Sequence, residues 1–224
     1  MNTTREHIGG LDCHCVTHGT DVRRDIVFLH GYSMRGADLA PFAAALGEPG
    51  RFIFPDAPLA AGPDGRCWWP IDQERRRRDL EQGPRDLWAE DPPGRAAARD
   101  ALHGLLAALP EGPKRELVLA GFSQGGMLAM DYLLHCGPSL RGLLLLSSSR
   151  IALADWQPRA HALAGLPVFV SHGRQDADLA FAAGEALHAF VHASGARASW
   201  HPFDGGHETP LYVWREIRRF LRTL

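Results

Sequence analysis

Two short runs of the chain, LVLA at residues 117–120 and LLLL at residues 143–146, are apolar at every position. Successive side chains of a strand point to opposite faces, so a strand is apolar throughout only when both faces are covered. Along the chain, such runs alternate with longer segments of helical periodicity. The pattern predicts an α/β fold with a doubly wound, mostly parallel sheet and helices on both of its faces.

The alternation indicates where each element should lie. Strands are predicted at residues 11–16, 25–30, 51–54, 116–120, 142–147, 167–171 and 198–203. Helices are predicted at residues 37–46, 93–109, 124–135, 178–193 and 210–221. The chain has 224 residues, of which 45% are hydrophobic, and can bury one sizeable core. We therefore expect a single α/β domain over residues 1–224.

Residues 61–93 interrupt this alternation. The segment contains several prolines and glycines, the adjacent Trp68 and Trp69, and the run ERRRRD at residues 74–79. A connection between a strand and a helix normally needs only a few residues. We expect an insertion that forms a lid or pocket wall, with the four arginines on a solvated face rather than binding a substrate carboxylate or phosphate.

Composition and charge exclude several classes of partner. The formal net charge is -2, and no basic block provides an electrostatic surface for nucleic acid. The first ten residues lack an apolar signal, and no run approaches the roughly 20 apolar residues of a membrane span. We expect a cytoplasmic protein without stable membrane insertion that acts on a small molecule. A homodimer stays open.

The four cysteines, at positions 13, 15, 67 and 136, are few and irregularly spaced. In a chain without a secretory signal, this spacing favours free thiols over disulfides. The cluster Cys13-His14-Cys15 with His18 raises the question of a metal site. In a strand, however, His14 points away from both cysteines, and no second ligand pair follows at zinc-site spacing. No metal is expected there.

The most informative motif is GFSQG at residues 121–125, where the strand-like LVLA run meets a helix-like one. It fits G-x-S-x-G, a sharp and strained turn that projects a serine hydroxyl from the sheet edge. Gly121 and Gly125 allow strand and helix to pass closely around Ser123. We predict that Ser123 is a catalytic nucleophile, although a serine in an ordinary glycine turn is the plainer interpretation.

A serine nucleophile needs a base, and the base needs an acid that orients it. His207 follows the last predicted strand, beyond the carboxyl edge of the sheet where this fold places its ligands. For the acid we prefer Asp176, which follows the strand at residues 167–171, and we expect Asp178 to cap the next helix. Asp155 is a weaker third candidate. The order Ser, Asp, His is the one this fold requires.

The developing oxyanion of an acyl-transfer reaction needs backbone N–H donors. Gln124, directly after the nucleophile, and Tyr32, in the loop HGYSMRG after an early strand, are the predicted donors. We expect His30 to hold this loop by hydrogen bonds rather than to transfer protons. Trp68, Trp69 and Met127 are candidates for substrate contacts, although paired tryptophans equally often only anchor their loop.

The motifs LHGYSMRGADL, FPDAPLA, CWWPID, GFSQGGMLA, HGRQDADL and GGHE together resemble the phospholipase/carboxylesterase family of α/β-hydrolases, which includes acyl-protein thioesterases. They follow in the family's order over nearly the whole chain. The resemblance implies the triad and oxyanion residues named above, ester or thioester substrates, no metal and no organic cofactor. One departure is local: the family usually has a hydrophobic pair and proline after its acid, whereas ADLA follows Asp176.

The expected function is a serine esterase for short to medium acyl esters, with thioesters and lysophospholipids as further substrates. A catalytically silent binding module with the same fold is an alternative. A hydrolase of another acyl bond, such as a peptidase or lactonase, also stays open because it would form the same acyl-enzyme.

Overall fold

A computed structural model describes residues 2–20, 22–110 and 116–224. Its central sheet contains eight strands in the order β1-β2-β4-β3-β7-β8-β9-β10. The strands are β1 Asn2–Ile8, β2 Leu11–His18, β3 Arg24–Leu29, β4 Gly50–Pro55, β7 Glu116–Phe122, β8 Gly142–Leu146, β9 Pro167–Gly173 and β10 Arg197–Phe203. Six neighbouring strands pair in parallel, in the order β4, β3, β7, β8, β9 and β10. At the β4 edge, β2 and then β1 add antiparallel pairs. The predicted mostly parallel sheet is confirmed.

Seven α-helices surround the sheet within the described residues. They are α1 Gly36–Leu46, α2 Gln73–Gln82, α3 Arg95–Ala107, α4 Gln124–Cys136, α5 Leu153–Trp156, α6 Phe181–Ala193 and α7 Leu211–Thr223, and a 3₁₀ helix spans Gln157–Leu163. A separate hairpin pairs β5 Leu59–Ala61 with β6 Gly65–Cys67. All five predicted helices are present, and their ends differ from the predicted ones by at most three residues.

The apolar side chains divide into two cores, one on each face of the sheet. One core includes Leu102 of α3, Leu128 of α4 and Leu187 of α6. The other joins residues of α1 and α7, such as Leu39 and Trp214. Because helices cover both faces, β7 and β8 are buried along nearly their whole length, which explains their uniformly apolar sequence.

Six elements were not predicted: β1, α2, the hairpin strands β5 and β6, the short helix α5 and the 3₁₀ helix. Strand β1 is exposed at six of its seven positions, at least in part, and therefore lacks an apolar pattern. It folds back onto β2 through Gly9 and Gly10, both with positive φ angles that suit glycine. Helix α2 contains the arginine run and has no buried residue, so no amphipathic stripe marked it as helical.

The side chains of β2 alternate as predicted. Cys13 and Cys15 are buried, whereas the intervening His14 is partly exposed and lies near the Arg5 guanidinium. All four cysteines are free thiols, as predicted. In the described part of the chain, no helix is long and apolar enough to cross a membrane.

Candidate active site

Ser123 lies at the tip of a very tight turn between β7 and α4. Its φ angle of 52° and ψ angle of -119° are unusual for a residue with a side chain, which marks local strain. A Cβ atom on Gly121 would lie 2.3 Å from the carbonyl carbon of Gly125, and one on Gly125 would lie 2.2 Å from the Leu29 carbonyl oxygen. Only glycine allows these contacts, so both glycines are required for the turn that presents the serine.

His207 connects Ser123 to Asp176. Its Nε2 atom is 2.9 Å from Ser123 Oγ, and its Nδ1 atom is 2.7 Å from Asp176 Oδ2. Because a carboxylate only accepts hydrogen bonds, Nδ1 donates to Asp176 and Nε2 is left to accept from the serine hydroxyl. Residues separated by 84 and 31 positions in sequence thus form one hydrogen-bonded chain.

The Asp176 carboxylate is buried, with only 3% of the residue exposed, yet every oxygen has donors. Oδ1 accepts the backbone N–H groups of Asp178 and Leu179, each at 2.9 Å. Burial by itself would raise the pKa of Asp176, but hydrogen bonds from His172 and His207 outweigh it and hold the pKa well below its ordinary value. Asp176 is therefore ionised at neutral pH.

The two residues predicted to donate to the oxyanion line the same cavity as Ser123. A Cβ on Gly31 would come within 3.3 Å of the Ser123 Cβ, which brings the loop containing Tyr32 against the nucleophile. In the described ranges, the N–H groups of Tyr32 and Gln124 have no acceptor within the protein. Two free N–H groups next to a serine hydroxyl are the arrangement that an oxyanion needs.

The Gln124 side chain makes two structural hydrogen bonds that the sequence did not predict. Its Oε1 atom accepts the N–H of Trp68, and its Nε2 atom donates to the carbonyl of Trp69, both at 2.9 Å. The residue after the nucleophile therefore fixes the tryptophan segment to the base of the site. A polar residue that is buried beside a catalytic turn is the signal that such a link exists.

His30 holds the loop before Tyr32, as predicted. Its Nδ1 atom donates to the Gly31 carbonyl at 2.7 Å, and its Nε2 atom accepts the N–H of Ala57 at 3.0 Å. Burial lowers the pKa of His30, which favours this neutral ring. The carbonyl of His30 also accepts the indole N–H of Trp68 at 2.9 Å.

A cavity of about 910 Å³ opens at Ser123 and His207. Its inner wall includes Trp69 and Met127, two of the three residues predicted to contact substrate. Trp68 is the exception: only 1% of it is exposed, and it lies behind the cavity because its indole is bound to the His30 carbonyl. That prediction is corrected, and Trp68 supports the wall from behind.

The outer wall of the cavity is charged and comes largely from the segment at residues 61–93. Arg75 of α2 pairs with Glu90, and Arg76 of α2 pairs with Asp178. Arg75 lines the cavity but is exposed, in line with the expected solvated face, whereas Arg76 departs from it because it is partly buried in its ion pair with Asp178. Arg77, by contrast, is largely exposed and pairs only within the helix.

Two carboxylates do not have the positions expected for them. Asp178 caps no helix, because Arg76 and Arg85 both bind its carboxylate and α6 begins only after Ala180. Asp155, the third candidate for the triad acid, binds Arg95 and His135 instead of His207. The structure therefore favours Asp176 among the three candidate acids.

Three consecutive serines after β8 connect the parts of the site. The hydroxyl of Ser147 donates to the Glu208 carbonyl beside His207, and that of Ser148 donates to the Ser123 carbonyl, both at 3.1 Å. Ser149 contacts Asp86 Oδ1 at 3.3 Å in the segment that lines the cavity. The strand predicted at residues 142–147 ends at these serines, but the sequence did not indicate their three separate partners.

The profile of the phospholipase/carboxylesterase family matches residues 98–224, which is more than half of the chain. Acyl-protein thioesterase 1 of Gibberella zeae is 32% identical over 114 residues, which cover 49% of this chain and 48% of that protein. Acyl-protein thioesterase 1 of Aspergillus fumigatus is 29% identical over 144 residues, which cover 60% of this chain and 58% of that protein. The chain thus spans about half the length of the curated relatives it matches.

Solved structures resemble the whole fold. The crystal structure of esterase PE8 has a TM-score of 0.77 and 24% identity, and the match covers 93% of this chain and 96% of that one. The acyl-protein thioesterase 2 of Zea mays also has a TM-score of 0.77, at 20% identity, with 94% and 97% covered. At these identities the likeness establishes the α/β-hydrolase fold.

Proposed function

The chain belongs to the phospholipase/carboxylesterase family, and from this we propose that it is a serine hydrolase that cleaves carboxylic esters through Ser123, His207 and Asp176. The observation that supports the proposal most strongly is the continuous hydrogen-bonded chain from Asp176 through His207 to the Ser123 hydroxyl. This series of hydrogen bonds ends at Ser123 on the floor of the cavity, where a substrate carbonyl would have to lie.

In the proposed acylation step, His207 Nε2 takes the proton from Ser123 Oγ as the oxygen attacks the ester carbonyl. The carbonyl oxygen becomes negative and accepts hydrogen bonds from the N–H groups of Tyr32 and Gln124. Asp176 stabilises the imidazolium that forms. The same proton then passes to the leaving oxygen or sulfur, which departs and leaves the acyl group on Ser123.

Deacylation repeats these steps with water. His207 removes a proton from the water molecule, whose oxygen attacks the acyl-enzyme and forms a second oxyanion in the same place. When this intermediate collapses, the proton returns to Ser123 Oγ and the carboxylic acid leaves. No step needs a metal or an organic cofactor, because the chain's own residues supply the nucleophile, the base and the oxyanion donors.

The substrates that fit best are small esters with short to medium acyl chains. The cavity's size lies near the upper part of the usual range for small-molecule sites, and Trp69 and Met127 give its inner wall an apolar surface for an acyl chain. Thioesters are a second substrate class, supported by the two thioesterase relatives. We propose that residues 61–93 act as the pocket wall that limits the length of the acyl chain, within a single domain.

A panel of activated esters and thioesters graded by acyl length tests the proposal. Wild-type protein should hydrolyse the shorter members, and Ser123→Ala should reduce turnover to background because no other hydroxyl replaces the nucleophile. Turnover retained by Ser123→Ala would refute the assigned nucleophile. Absence of any hydrolysis by wild-type protein, together with no reaction of Ser123 with a fluorophosphonate, would favour a silent binding module.

A further inference from the structure

His172 is a buried histidine that the proposed mechanism does not use. It lies near the end of β9, its side chain is wholly buried, and it contacts the same carboxylate as His207. Its Nε2 atom is 3.2 Å from Asp176 Oδ2 and 3.0 Å from the Leu179 carbonyl oxygen. Both neighbours only accept hydrogen bonds, so Nε2 must carry the proton.

The other ring nitrogen has a different environment. His172 Nδ1 is buried and has no hydrogen-bond partner within the described residues. A proton on Nδ1 would be a buried donor without an acceptor, which is costly, whereas an unprotonated Nδ1 leaves only an unused lone pair. The surroundings thus select the Nε2–H tautomer, with its hydrogen directed at Asp176 and the carbonyl of Leu179.

The ring is held in place by close packing. A Cβ atom on Gly184 of α6 would lie 2.5 Å from the His172 ring, so the helix passes over the imidazole with no room for a side chain. Phe181, at the start of the same helix, contacts the ring edge-on. His172 has little freedom to turn away from Asp176.

Each carboxylate oxygen of Asp176 has its own pair of hydrogen-bond donors. Oδ1 receives the two backbone N–H groups of the following turn, and Oδ2 receives His207 and His172. No arginine or lysine among the described residues forms an ion pair with this carboxylate, and the neighbouring Asp178 is itself bound by Arg76 and Arg85. Among the described residues, His172 and His207 are the side chains that contact Oδ2.

We propose that His172 is a positioning residue for the reaction: its Nε2–H holds the Asp176 carboxylate in the orientation that presents Oδ2 to His207. The proposal rests on the proposed function, since it assigns a partner to the acid of that site. His172 is not among the residues that line the cavity, and its polar contacts among the described residues are with Asp176 and Leu179 rather than with Ser123.

Three substitutions separate positioning from packing. His172→Phe retains a ring of similar size but removes the donor, and should lower kcat about tenfold with little change in KM. His172→Gln retains a side-chain N–H and should recover most of that loss. Gly184→Ala leaves every donor in place but pushes the ring, and should lower kcat in the same direction. Thermal unfolding of each variant checks that it is folded.

The pH profile supplies a readout that packing would not move. When Asp176 loses a donor, its pKa rises, and the coupled pair with His207 responds as a unit. The acid limb of kcat/KM should therefore move to higher pH in His172→Phe and return toward wild type in His172→Gln. The proposal is overturned if His172→Phe retains the wild-type kcat and acid limb, or if both substitutions lower kcat equally without shifting the limb.

A measurement without turnover distinguishes failure of this proposal from failure of the proposed function. Carboxyl ¹³C NMR of Asp176 in a Ser123→Ala background should show titration at higher pH once His172→Phe is added. That result would support the positioning role even if no ester were hydrolysed. An unchanged Asp176 titration would refute the role even in an active hydrolase.

Discussion

Two buried aspartates each contact histidine in this protein, but their surroundings differ. Asp176 receives two imidazoles and two backbone N–H groups and has no arginine among its described partners. Asp131, on α4 and with no exposed surface, binds Arg95 at 2.6 Å, Arg99 at 2.7 Å and the indole N–H of Trp156 at 2.7 Å. Both carboxylates are satisfied, but only Asp131 is neutralised by permanent cations.

The difference explains what each region can do. A carboxylate whose charge is already compensated by two guanidinium groups gains little when a neighbouring histidine is protonated. Among the described residues Asp176 has no such compensation, so in the proposed mechanism it would stabilise the positive charge that forms on His207 during acyl transfer. Charge can therefore change at Asp176, whereas the Asp131 network joins α3, α4 and α5 into a fixed arrangement.

The largest expected effect comes from Asp176→Asn. It should lower kcat by about 10³- to 10⁴-fold, because the amide cannot stabilise the imidazolium and favours the wrong tautomer of His207. Steady-state kinetics on an activated ester measure the loss. A decrease of less than tenfold, in a variant that remains folded at the assay temperature, would mean that Asp176 is not the acid of the site.

The matched substitution Asp131→Asn should act on stability instead. It leaves Arg95 and Arg99 with a weakened buried partner, and we expect a loss of about 3 kcal/mol in the free energy of unfolding. Urea denaturation measures the loss. The folded variant should retain a kcat close to that of wild type, and a large decrease in kcat would erase the distinction between the two aspartates.

Acid stability provides a third comparison. The pKa of Asp176 is lower in the folded protein than its model-peptide value of 3.8, so its contribution to stability is complete above that pH and is lost as the pH falls below it. Wild-type protein should therefore lose more stability than Asp176→Asn between pH 6 and pH 3, as judged from urea midpoints. Equal losses would show that Asp176 is not stabilised as an anion.

A smaller effect is expected from Asp178→Asn, which changes the outer wall of the cavity. Asp178 binds Arg76 of α2 and Arg85, so its loss should loosen that helix and raise KM for longer acyl esters about two- to fivefold. Added salt should weaken the same ion pairs in wild-type protein, so the difference in KM between wild type and Asp178→Asn should become smaller. An unchanged KM would show that these ion pairs do not shape the substrate pocket.

The parts of the site that were predictable from sequence depend on topology and local chemistry. The glycines around Ser123 announce a tight turn, and the carboxyl ends of parallel strands meet at one edge, which brings the loops of Asp176 and His207 to the serine. Neither inference requires knowledge of a particular side-chain partner.

The parts that were not predictable depend on partners from distant elements. Asp178 was expected to cap a helix because the arginines of α2 and its neighbour Arg85 could not be placed beside it. Trp68 was a candidate for the cavity lining. The sequence could not show that its indole instead donates to the His30 carbonyl, because that carbonyl lies in a loop after a distant strand. Strand β1 was not predicted because an exposed edge strand needs no alternation of apolar and polar residues.

The most direct test of the central claim is the rate of labelling by a fluorophosphonate, with the adduct located by peptide mass spectrometry. Wild-type protein and folded Asp131→Asn should acquire one adduct, on Ser123, at similar rates. Asp176→Asn should react at least a hundredfold more slowly, a bound of about 2.7 kcal/mol in activation free energy. An adduct on another residue, or equal labelling of all three proteins, would contradict the assignment of Ser123, His207 and Asp176.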